Sequence, residues 1–338
     1  MKVWQIQDEF GLDHLLQAER PDPRPGPGQV LVQVHASSLN FRDLMMIEGL
    51  YNPRQKLPLV PNSDGAGEVV EVGKGVTRFK VGDRVAGIFA QKWLAGAPEY
   101  HNIRGSTLGG PLDGMLAEYR VLDEDGLVHI PAHLDYQEAA SLPCAAVTAW
   151  NALFVQGNVK AGDTVLLLGT GGVSLFGLQF AQMAGARAII TSSSDEKLER
   201  VRKLGAWETI NYKTTPEWDR RVLELTGMGA DHVVEVGGAG TLARSINAVT
   251  LGGTVTVIGV LSGTATELDV RSLLMKSVRL QGLFVGNRRM FEDMNRAIAQ
   301  HEMKPVIDRA FNFNQAPQAY KHMGGGKHFG KIAIQVRI

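Results

Sequence analysis

The stretch Thr-Val-Leu-Leu-Leu-Gly-Thr-Gly-Gly-Val-Ser, residues 164–174, decides the fold of this chain. Thr164 to Leu168 is a short apolar run typical of a fully buried strand. The glycine-rich turn after it leads into an uncharged helical stretch that ends near Ala186. A buried strand, a glycine turn and a helix in succession predict a βαβ unit and a parallel sheet.

The chain around this stretch repeats the same alternation of strand and helix. Five further β-type runs follow it: Ala188 to Thr191, Thr209 to Tyr212, His232 to Val236, Thr254 to Gly259 and Arg279 to Val285. The helix after the second strand begins at Asp195 and ends before Gly205. Six strands separated by helices predict a doubly wound Rossmann domain of α/β class over residues 131–289.

The two ends of the chain have a different sequence pattern. Short β-type runs broken by glycine, proline and aspartate occupy Val30 to His35, Gly65 to Val72 and Asp83 to Gly87. Two late β-type segments, Ala310 to Phe313 and Lys331 to Val336, have no βαβ partner of their own. We therefore predict that residues 1–130 and 290–338 form one mostly β domain.

Composition excludes several classes of protein. The chain has 338 residues, 35 basic and 35 acidic side chains, and one cysteine, Cys144. The charge balance offers no support for binding nucleic acid or an acidic membrane. A single cysteine cannot form an intramolecular disulfide, and the first residues lack a secretory h-region, so we expect a cytoplasmic location.

The glycine turn carries the clearest chemical signal. Gly169 permits a tight turn, and Gly171 and Gly172 let backbone N–H groups approach a pyrophosphate at the positive end of the next helix. Thr170 and Val173 belong to the same turn, which we predict binds a dinucleotide. Ser174 stands where the usual fingerprint has its last glycine, and a small side chain is tolerated there.

The end of the second strand indicates which dinucleotide binds. An acidic residue there would hold a ribose 2′-hydroxyl and repel a 2′-phosphate, but the chain reads Thr191-Ser192-Ser193-Ser194. Ser193, Lys197 and Tyr212 are the predicted 2′-phosphate contacts, which favours NADPH over NADH. Alternatively, Asp195 serves a ribose, Lys197 is a solvated helix residue and Tyr212 is a strand-end aromatic.

A longer motif carries a family resemblance. The runs Asp64 to Gly73 and Phe79 to Val85, together with the dinucleotide turn and the closing Gly330-Lys331-Ile332, resemble the medium-chain dehydrogenase/reductase superfamily in the same order. The resemblance covers essentially the whole chain. It implies that the mostly β domain is a GroES-like catalytic domain beside the Rossmann domain.

The resemblance raises the question of zinc. Where the alcohol dehydrogenase branch has a cysteine and a histidine-glutamate pair as ligands, this sequence has Asn40 and Ser63-Asp64. Only Cys144 matches a ligand position, and one thiolate with Asp64 makes a poor zinc site. We predict no metal site. The alternative is a zinc-binding alcohol dehydrogenase-like enzyme that uses Cys144 and Asp64.

Asn40 followed by Leu50-Tyr51 resembles the zinc-independent quinone oxidoreductase branch. That resemblance implies Asn40 and Tyr51 as catalytic residues, beside the nicotinamide or in the substrate cleft. It adds four residues to the predicted cofactor site: Thr148, Gly259, Phe284 and Val285. Asn40 as a turn residue and Tyr51 as a loop aromatic remain alternatives. Asp43 is predicted to be a structural hydrogen-bond acceptor for Arg42 or a backbone donor.

These expectations combine into one function. The chain is predicted to transfer hydride from NADPH to a quinone or an α,β-unsaturated carbonyl, a small-molecule substrate whose product anion is delocalised and weakly basic. A non-enzymatic NADPH-binding protein of crystallin-like or regulatory kind is the alternative from another class. The apolar last strand, Leu280 to Val285, would otherwise be an exposed edge, which predicts a homodimer.

Overall fold

The computed structural model of the protein describes residues 1–337, along which we number the strands β1 to β15. They are β1 (Lys2–Ile6), β2 (Leu15–Glu19), β3 (Gln29–Leu39), β4 (Asp64–Val72), β5 (Arg84–Gly87), β6 (Tyr119–Asp123), β7 (Leu127–His129), β8 (Thr164–Leu168), β9 (Arg187–Ser192), β10 (Glu208–Asn211), β11 (Ala230–Glu235), β12 (Val249–Val257), β13 (Arg279–Gly282), β14 (Ile307–Asn312) and β15 (Lys331–Gln335).

The α-helices of the same residues are numbered in the same way. They are α1 (Phe41–Ile47), α2 (Tyr100–Ile103), α3 (Tyr136–Ala140), α4 (Val147–Trp150), α5 (Gly172–Met183), α6 (Asp195–Lys203), α7 (Trp218–Thr226), α8 (Leu242–Ala248), α9 (Val270–Lys276), α10 (Arg288–Gln300) and α11 (Ala316–Gly324). Two π-helical segments, Leu142–Ala146 and Asn151–Gln156, flank α4. Within residues 1–337, no helix combines the length and apolar character that crossing a membrane requires.

The chain divides into two compact units. The first unit comprises residues 1–147 and 285–337, and the second comprises residues 148–284. The prediction divided the chain at 130/131 and 289/290. The first boundary lies later in the structure because α3 packs on β3 and β4 of the first unit. The segment after α3 continues as helix through Ala146 without an intervening loop.

The second unit is built on a six-stranded parallel sheet. Its strand order is β10-β9-β8-β11-β12-β13, which confirms the predicted Rossmann doubly wound sheet. All five residues of β8 are buried, as the apolar run predicted. The last predicted strand was too long. β13 ends at Gly282 because its neighbour β12 ends at Val257, so residues 283–285 have no strand to pair with.

The first unit is mostly β, as predicted. Its main sheet has the order β14-β15-β3-β4-β5-β7, with β6 paired to β3 and with β1 and β2 as a separate hairpin. β15 pairs antiparallel with β3 and parallel with β14, so the two late strands do rejoin the first part of the chain. β15 and β4 lie on either side of β3, which brings Lys331, Asn40 and Asp64 to one end of the sheet.

Candidate functional site

The glycine turn in the second unit lies at the carboxyl end of β8. Gly169 has φ 76°, a left-handed conformation that side chains other than glycine rarely adopt, and its N–H donates to the Thr191 carbonyl at 2.9 Å. Gly171 caps α5, which begins at Gly172. A Cβ atom on Gly169 or Gly171 would have no neighbour within 4 Å. The turn therefore presents open space beside the N-terminus of a twelve-residue helix.

The position of β8 in the sheet makes this turn a predicted ligand site. β8 lies between β9 and β11, the point at which the strand order reverses direction. Ligands of open parallel sheets bind outside the carboxyl ends of the strands at such a switch point. Thr170, which is buried, and Val173, which is half-buried, lie in the same turn. The residues predicted from the fingerprint are thus together in space.

Close packing of α5 on the sheet is provided by two residues. The Ser174 hydroxyl, buried, donates to the Leu168 carbonyl at 2.7 Å, so this position does tie the helix to the strand. The closest approach, however, is at Gly177, where an added Cβ would lie 2.7 Å from Leu167 Cδ2. Sequence analysis did not single out Gly177, although its spacing of one turn beyond the fingerprint is a usable signal.

The end of β9 carries hydroxyl groups and no carboxylate. Ser192 is the last strand residue, and Ser194 caps α6 by accepting from the Lys197 N–H at 3.3 Å. Ser193 lies between them and is half-buried. The nearest acid, Asp195, is on the first turn of α6 and accepts a 2.7 Å hydrogen bond from the Asn211 side chain.

The residue Tyr212 lies beside the same strand end. Its N–H donates to the Ser192 carbonyl at 3.1 Å, and its side chain is 42% exposed. The predicted 2′-phosphate contacts Ser193, Lys197 and Tyr212 are therefore grouped around the carboxyl end of β9. Hydroxyl groups and an ammonium can accept an added phosphate without charge repulsion.

A buried acid shapes the neighbouring loop. Glu235, the last residue of β11, is fully buried. Its carboxylate accepts hydrogen bonds from the backbone N–H groups of Gly237 and Gly238 and from the hydroxyls of Thr241 and Ser245. The charge is thereby compensated by four donors. Sequence analysis missed Glu235. The signal was an acid that ends a buried strand and is followed by glycines.

The other predicted cofactor residues are placed at several points. Gly259 lies in the loop after β12. Ser262 in the same loop connects it to the loop after β11, because its hydroxyl donates to the Gly237 carbonyl at 2.7 Å. Thr148 is buried in α4. Phe284 is the last residue of the second unit, whereas Val285 is the first of the returning segment of the first unit. Val285 has φ 33°, a strained value for a β-branched residue.

In the first unit, Asp43 organises the start of α1. Its carboxylate accepts from the Asn40 N–H at 2.8 Å and from the Ser63 N–H at 3.1 Å. The Arg42 guanidinium is 3.3 Å from the same carboxylate. Asp43 is fully buried. This confirms the prediction that Asp43 is a structural acceptor, both for Arg42 and for backbone donors.

The Asn40 side chain meets a buried ammonium group. Lys331 Nζ donates to Asn40 Oδ1 at 2.6 Å and to the Leu39 carbonyl at 2.7 Å, and it lies 3.5 Å from Asp64 Oδ2. The Lys331 side chain is only 4% exposed. Because the ammonium holds the amide oxygen, Asn40 directs its NH₂ group elsewhere, and Nδ2 is 3.3 Å from Ser63 Oγ. Sequence analysis quoted Lys331 only within a closing motif and gave it no role.

Burial is the main cause of the pKa shifts of Asp64 and of the neighbouring Cys144. Burial raises the pKa of Asp64 to about 6, and the Lys331 charge opposes that rise. Burial, followed by the Asp64 charge, raises the pKa of the Cys144 thiol well above its ordinary range. The thiol is therefore protonated at neutral pH. Cys144 is a free cysteine, and its residue keeps partial exposure to solvent.

Tyr51 lies in the loop after α1 and is 42% exposed. Its N–H donates to the Met45 carbonyl at 3.1 Å. The Arg42 guanidinium carbon is 4.7 Å from the centroid of the Tyr51 ring. Asn40 and Tyr51, the two predicted catalytic residues, are thus connected through Arg42 and Asp43.

The sequence matches two family profiles. It matches the alcohol dehydrogenase GroES-like domain over residues 26–132 and the zinc-binding dehydrogenase family over residues 172–300. A zinc-type alcohol dehydrogenase-like protein of Schizosaccharomyces pombe is 44% identical over 340 residues, which cover 98% of each chain. A quinone oxidoreductase of Pseudomonas aeruginosa is 33% identical over 321 residues, which cover 92% of each chain.

Solved structures agree with these matches. An NAD-dependent alcohol dehydrogenase superimposes with a TM-score of 0.91 at 32% identity, over 100% of each chain. A crotonyl-CoA carboxylase/reductase in complex with NADP superimposes with a TM-score of 0.88 at 26% identity, over 99% of this chain and 94% of that one.

The fold and the site define a class of enzyme. A doubly wound sheet with a glycine turn at its switch point, joined in one chain to a GroES-like sheet, is the architecture of dehydrogenases and reductases. The chain belongs to the medium-chain dehydrogenase/reductase superfamily, an oxidoreductase family, as its motifs had indicated.

Proposed function

We propose that this protein transfers a hydride from NADPH to a quinone or an α,β-unsaturated carbonyl without zinc. The observation that carries the proposal is the buried Lys331 ammonium, which lies between Asn40 and Asp64. These are two of the positions that would supply metal ligands in the zinc-dependent branch. A fixed positive charge there repels a divalent cation.

The donor set of the chain does not fit the zinc that the family description implies. Zinc in catalytic sites takes three protein ligands from Cys, His, Asp and Glu. Here Asn40 and Ser63 offer an amide and a hydroxyl, Asp64 already faces Lys331, and Cys144 is the single thiol of the sequence. Within residues 1–337 no three His, Cys, Asp or Glu side chains are grouped to hold a metal ion. The proposed reaction therefore includes no step through zinc.

The proposed substrate class follows from the poor fit of zinc to these donors, because zinc would be the Lewis acid that polarises a carbonyl. Hydride addition to a simple ketone creates a basic alkoxide that calls for a Lewis acid or a well-placed proton donor. Addition to a quinone or to the β carbon of an enone leaves a delocalised anion that hydrogen bonds stabilise adequately. The reduced nicotinamide supplies the hydride when bound. In this proposal the Asn40 amide and the Tyr51 hydroxyl donate hydrogen bonds to the substrate oxygen.

The preference for NADPH rests on the end of β9. Ser192, Ser193 and Ser194 provide hydroxyl groups where a carboxylate would repel a 2′-phosphate. Asp195 is already hydrogen-bonded to Asn211. Replacing Ser193 by Asp introduces that repulsion, so the ratio of kcat/KM for NADPH to that for NADH should fall. Ser193→Asn is the matched control, since it adds similar volume without charge.

The first experiment is to mix the purified protein with NADPH or NADH and with quinones, enones and simple aldehydes, following cofactor absorbance. The metal content of the same sample is measured. NADPH consumption by quinones or enones at the same rate with and without a chelator supports the proposal. Turnover confined to alcohols and aldehydes and lost with chelator would instead assign a zinc-dependent activity. NADPH binding without turnover would favour a non-enzymatic role.

The proposal includes a cytoplasmic homodimer. The edge strand β13 has one neighbour, β12, and nearby side chains of α9 are strongly exposed: Val270 by 67%, Leu274 by 76% and Met275 by 76%. An unpaired strand edge beside apolar side chains is suited to pair with a second copy. Light scattering should give twice the chain mass. Leu274→Glu should reduce it to one chain mass, whereas Met228→Glu, at an equally exposed position, should not.

A further inference from the structure

Arg42 contacts Tyr51 directly and is linked to Asn40 through Asp43. Its side chain is 9% exposed, although a guanidinium is among the most strongly polar groups of a protein. Nη1 donates to the Leu108 carbonyl at 3.0 Å and lies 3.3 Å from Asp43 Oδ1, and Nη2 donates to the Gly110 carbonyl at 3.4 Å. These contacts fix the plane of the guanidinium inside the first unit.

The two faces of a guanidinium can each receive an aromatic ring. The guanidinium carbon of Arg42 is 4.7 Å from the Tyr51 ring centroid and 5.0 Å from that of Phe89. Phe89 is buried, and Tyr51 is 42% exposed. Arg42 is therefore supported from the protein interior, and its contact with Tyr51 faces the more exposed side.

The backbone of Tyr51 is fixed to the end of α1. The Leu50 and Tyr51 N–H groups both donate to the Met45 carbonyl near the end of α1, at 2.8 and 3.1 Å. Among residues 1–337, no group hydrogen-bonds the Tyr51 hydroxyl. The hydroxyl therefore stays available to a ligand, and the Arg42 guanidinium lies against the ring.

Asn40 is connected to Arg42 through Asp43. Asp43, the ion-pair partner of Arg42, accepts from the Asn40 N–H at 2.8 Å. Asn40 is the N-cap of α1, Arg42 and Asp43 lie in its first turn, and Tyr51 lies in the loop that follows it. A substitution of Arg42 would therefore affect Tyr51 directly and Asn40 through Asp43.

We propose that Arg42 is a positioning residue that orients the Tyr51 ring by stacking its guanidinium against it and so places the hydroxyl for hydrogen bonding to the substrate oxygen. The inference rests on the proposed function, because the role of the Tyr51 hydroxyl belongs to that proposal. The stacking itself does not depend on turnover.

Two substitutions separate stacking from charge. Arg42→Lys keeps a cation beside Asp43 but removes the planar face that contacts the ring. Arg42→Met removes both. If stacking positions Tyr51, the two variants should lower kcat to a similar extent, by about ten- to 100-fold, with the KM for NADPH unchanged. In the Tyr51→Phe background, Arg42→Lys should have little further effect on kcat.

The chain offers a matched control. Arg84 lies 4.7 Å from the Tyr136 ring centroid, the same distance as in the Arg42–Tyr51 pair, and it also donates to backbone carbonyls, those of Ala132 and Leu134. Arg84→Lys removes an equivalent stacking contact elsewhere in the first unit. It should leave kcat unchanged, so a loss of rate in that variant would overturn the specific role of Arg42.

A measurement without turnover tests the stacking directly. Nitration of tyrosines by tetranitromethane, located by mass spectrometry, should modify Tyr51 faster in Arg42→Lys and Arg42→Met than in the wild type, because one ring face is uncovered. Tyr136 in the same samples is the internal standard. Unchanged Tyr51 nitration in both variants would overturn the inference even if turnover fell.

The two proposals fail in distinguishable ways. A wild-type protein that reduces no quinone or enone would contradict the proposed function and with it the catalytic use of Tyr51. Normal turnover with additive effects of Arg42→Lys and Tyr51→Phe would contradict only the positioning role. A rate loss confined to Arg42→Met, with Arg42→Lys fully active, would show that the charge suffices and would overturn the stacking argument.

Discussion

The glycine turn of the second unit and the cluster formed by Lys331, Asn40, Asp64 and Asp43 in the first, here called the Lys331 cluster, are constructed in opposite ways. At the turn, the functional groups are backbone N–H donors and uncharged side chains, and the requirement is for space. In the cluster, Lys331, Asp64 and Asp43 are charged groups with almost no exposure to water. The comparison teaches that one region depends on steric fit and the other on charge compensation.

This difference predicts how each region responds to substitution. A buried charge that loses its partner retains the full penalty of being removed from water. A misfit between helix and sheet can be relieved in part by small shifts of the backbone. Single substitutions should therefore be more destructive in the cluster than in the turn.

The largest effect is expected for Lys331→Met. This change leaves Asp64 buried without its cation and should lower the free energy of unfolding by about 3–5 kcal/mol. Urea titration at neutral pH measures it. Lys203→Met, at a lysine 76% exposed, is the control and should change that free energy by less than about 0.5 kcal/mol. Equal effects of the two substitutions would remove the contrast between the regions.

The second effect concerns pH. The pKa of Asp64 is about 6 in the folded chain against 3.8 for an unperturbed Asp side chain, so the folded state binds this proton more tightly. The contribution of Asp64 to the free energy of unfolding therefore decreases as pH rises from 3.8 to about 6 and is constant above that range. Relative to Asp64→Asn, the wild type should lose up to about 3 kcal/mol across the window.

Urea titrations of both proteins at several pH values test that window. Subtracting the Asp64→Asn values removes the contribution of other titrating groups that the two proteins share. A difference between the proteins that rises with pH over the same range would reverse the expected sign. It would mean that Lys331 outweighs burial in setting the pKa of Asp64.

At the glycine turn, Gly177→Val should have a smaller effect. The added Cβ would meet Leu167 Cδ2 at 2.7 Å, so α5 must move away from β8. Overpacking of this kind lowers the free energy of unfolding by about 1–3 kcal/mol. The shift of α5 should also weaken NADPH binding measured by fluorescence. Gly227→Ala, in open space at the end of α7, is the control for binding, which it should leave unchanged.

The smallest effect is expected for Ser174→Ala. The change removes the 2.7 Å hydrogen bond to the Leu168 carbonyl and should lower the free energy of unfolding by about 1 kcal/mol. Thermal unfolding followed by circular dichroism detects such a difference. A loss as large as that of Lys331→Met would contradict the view that the turn tolerates the loss of side-chain contacts better than the cluster does.

Much of the second unit could be predicted from local sequence. The strand Thr164–Leu168 was predicted with the bounds that the structure has, because an apolar run between turn signals leaves little choice of secondary structure. The end of the last strand was not predicted correctly. Its length depends on where β12 ends, and that is a property of the partner strand.

The sequence by itself determined the glycine turn, since its requirements lie within a few consecutive residues: a buried strand, a glycine at positive φ and a helix start. It also determined the superfamily. Only the tertiary structure decided the role of Lys331, which is 291 positions from Asn40 and 267 from Asp64 along the chain. No local pattern encodes which distant carboxylate an ammonium will meet, because that depends on β15 pairing with β3. The stacking of Arg42 against Tyr51 has the same origin, since the carbonyls that hold the guanidinium come from Leu108 and Gly110.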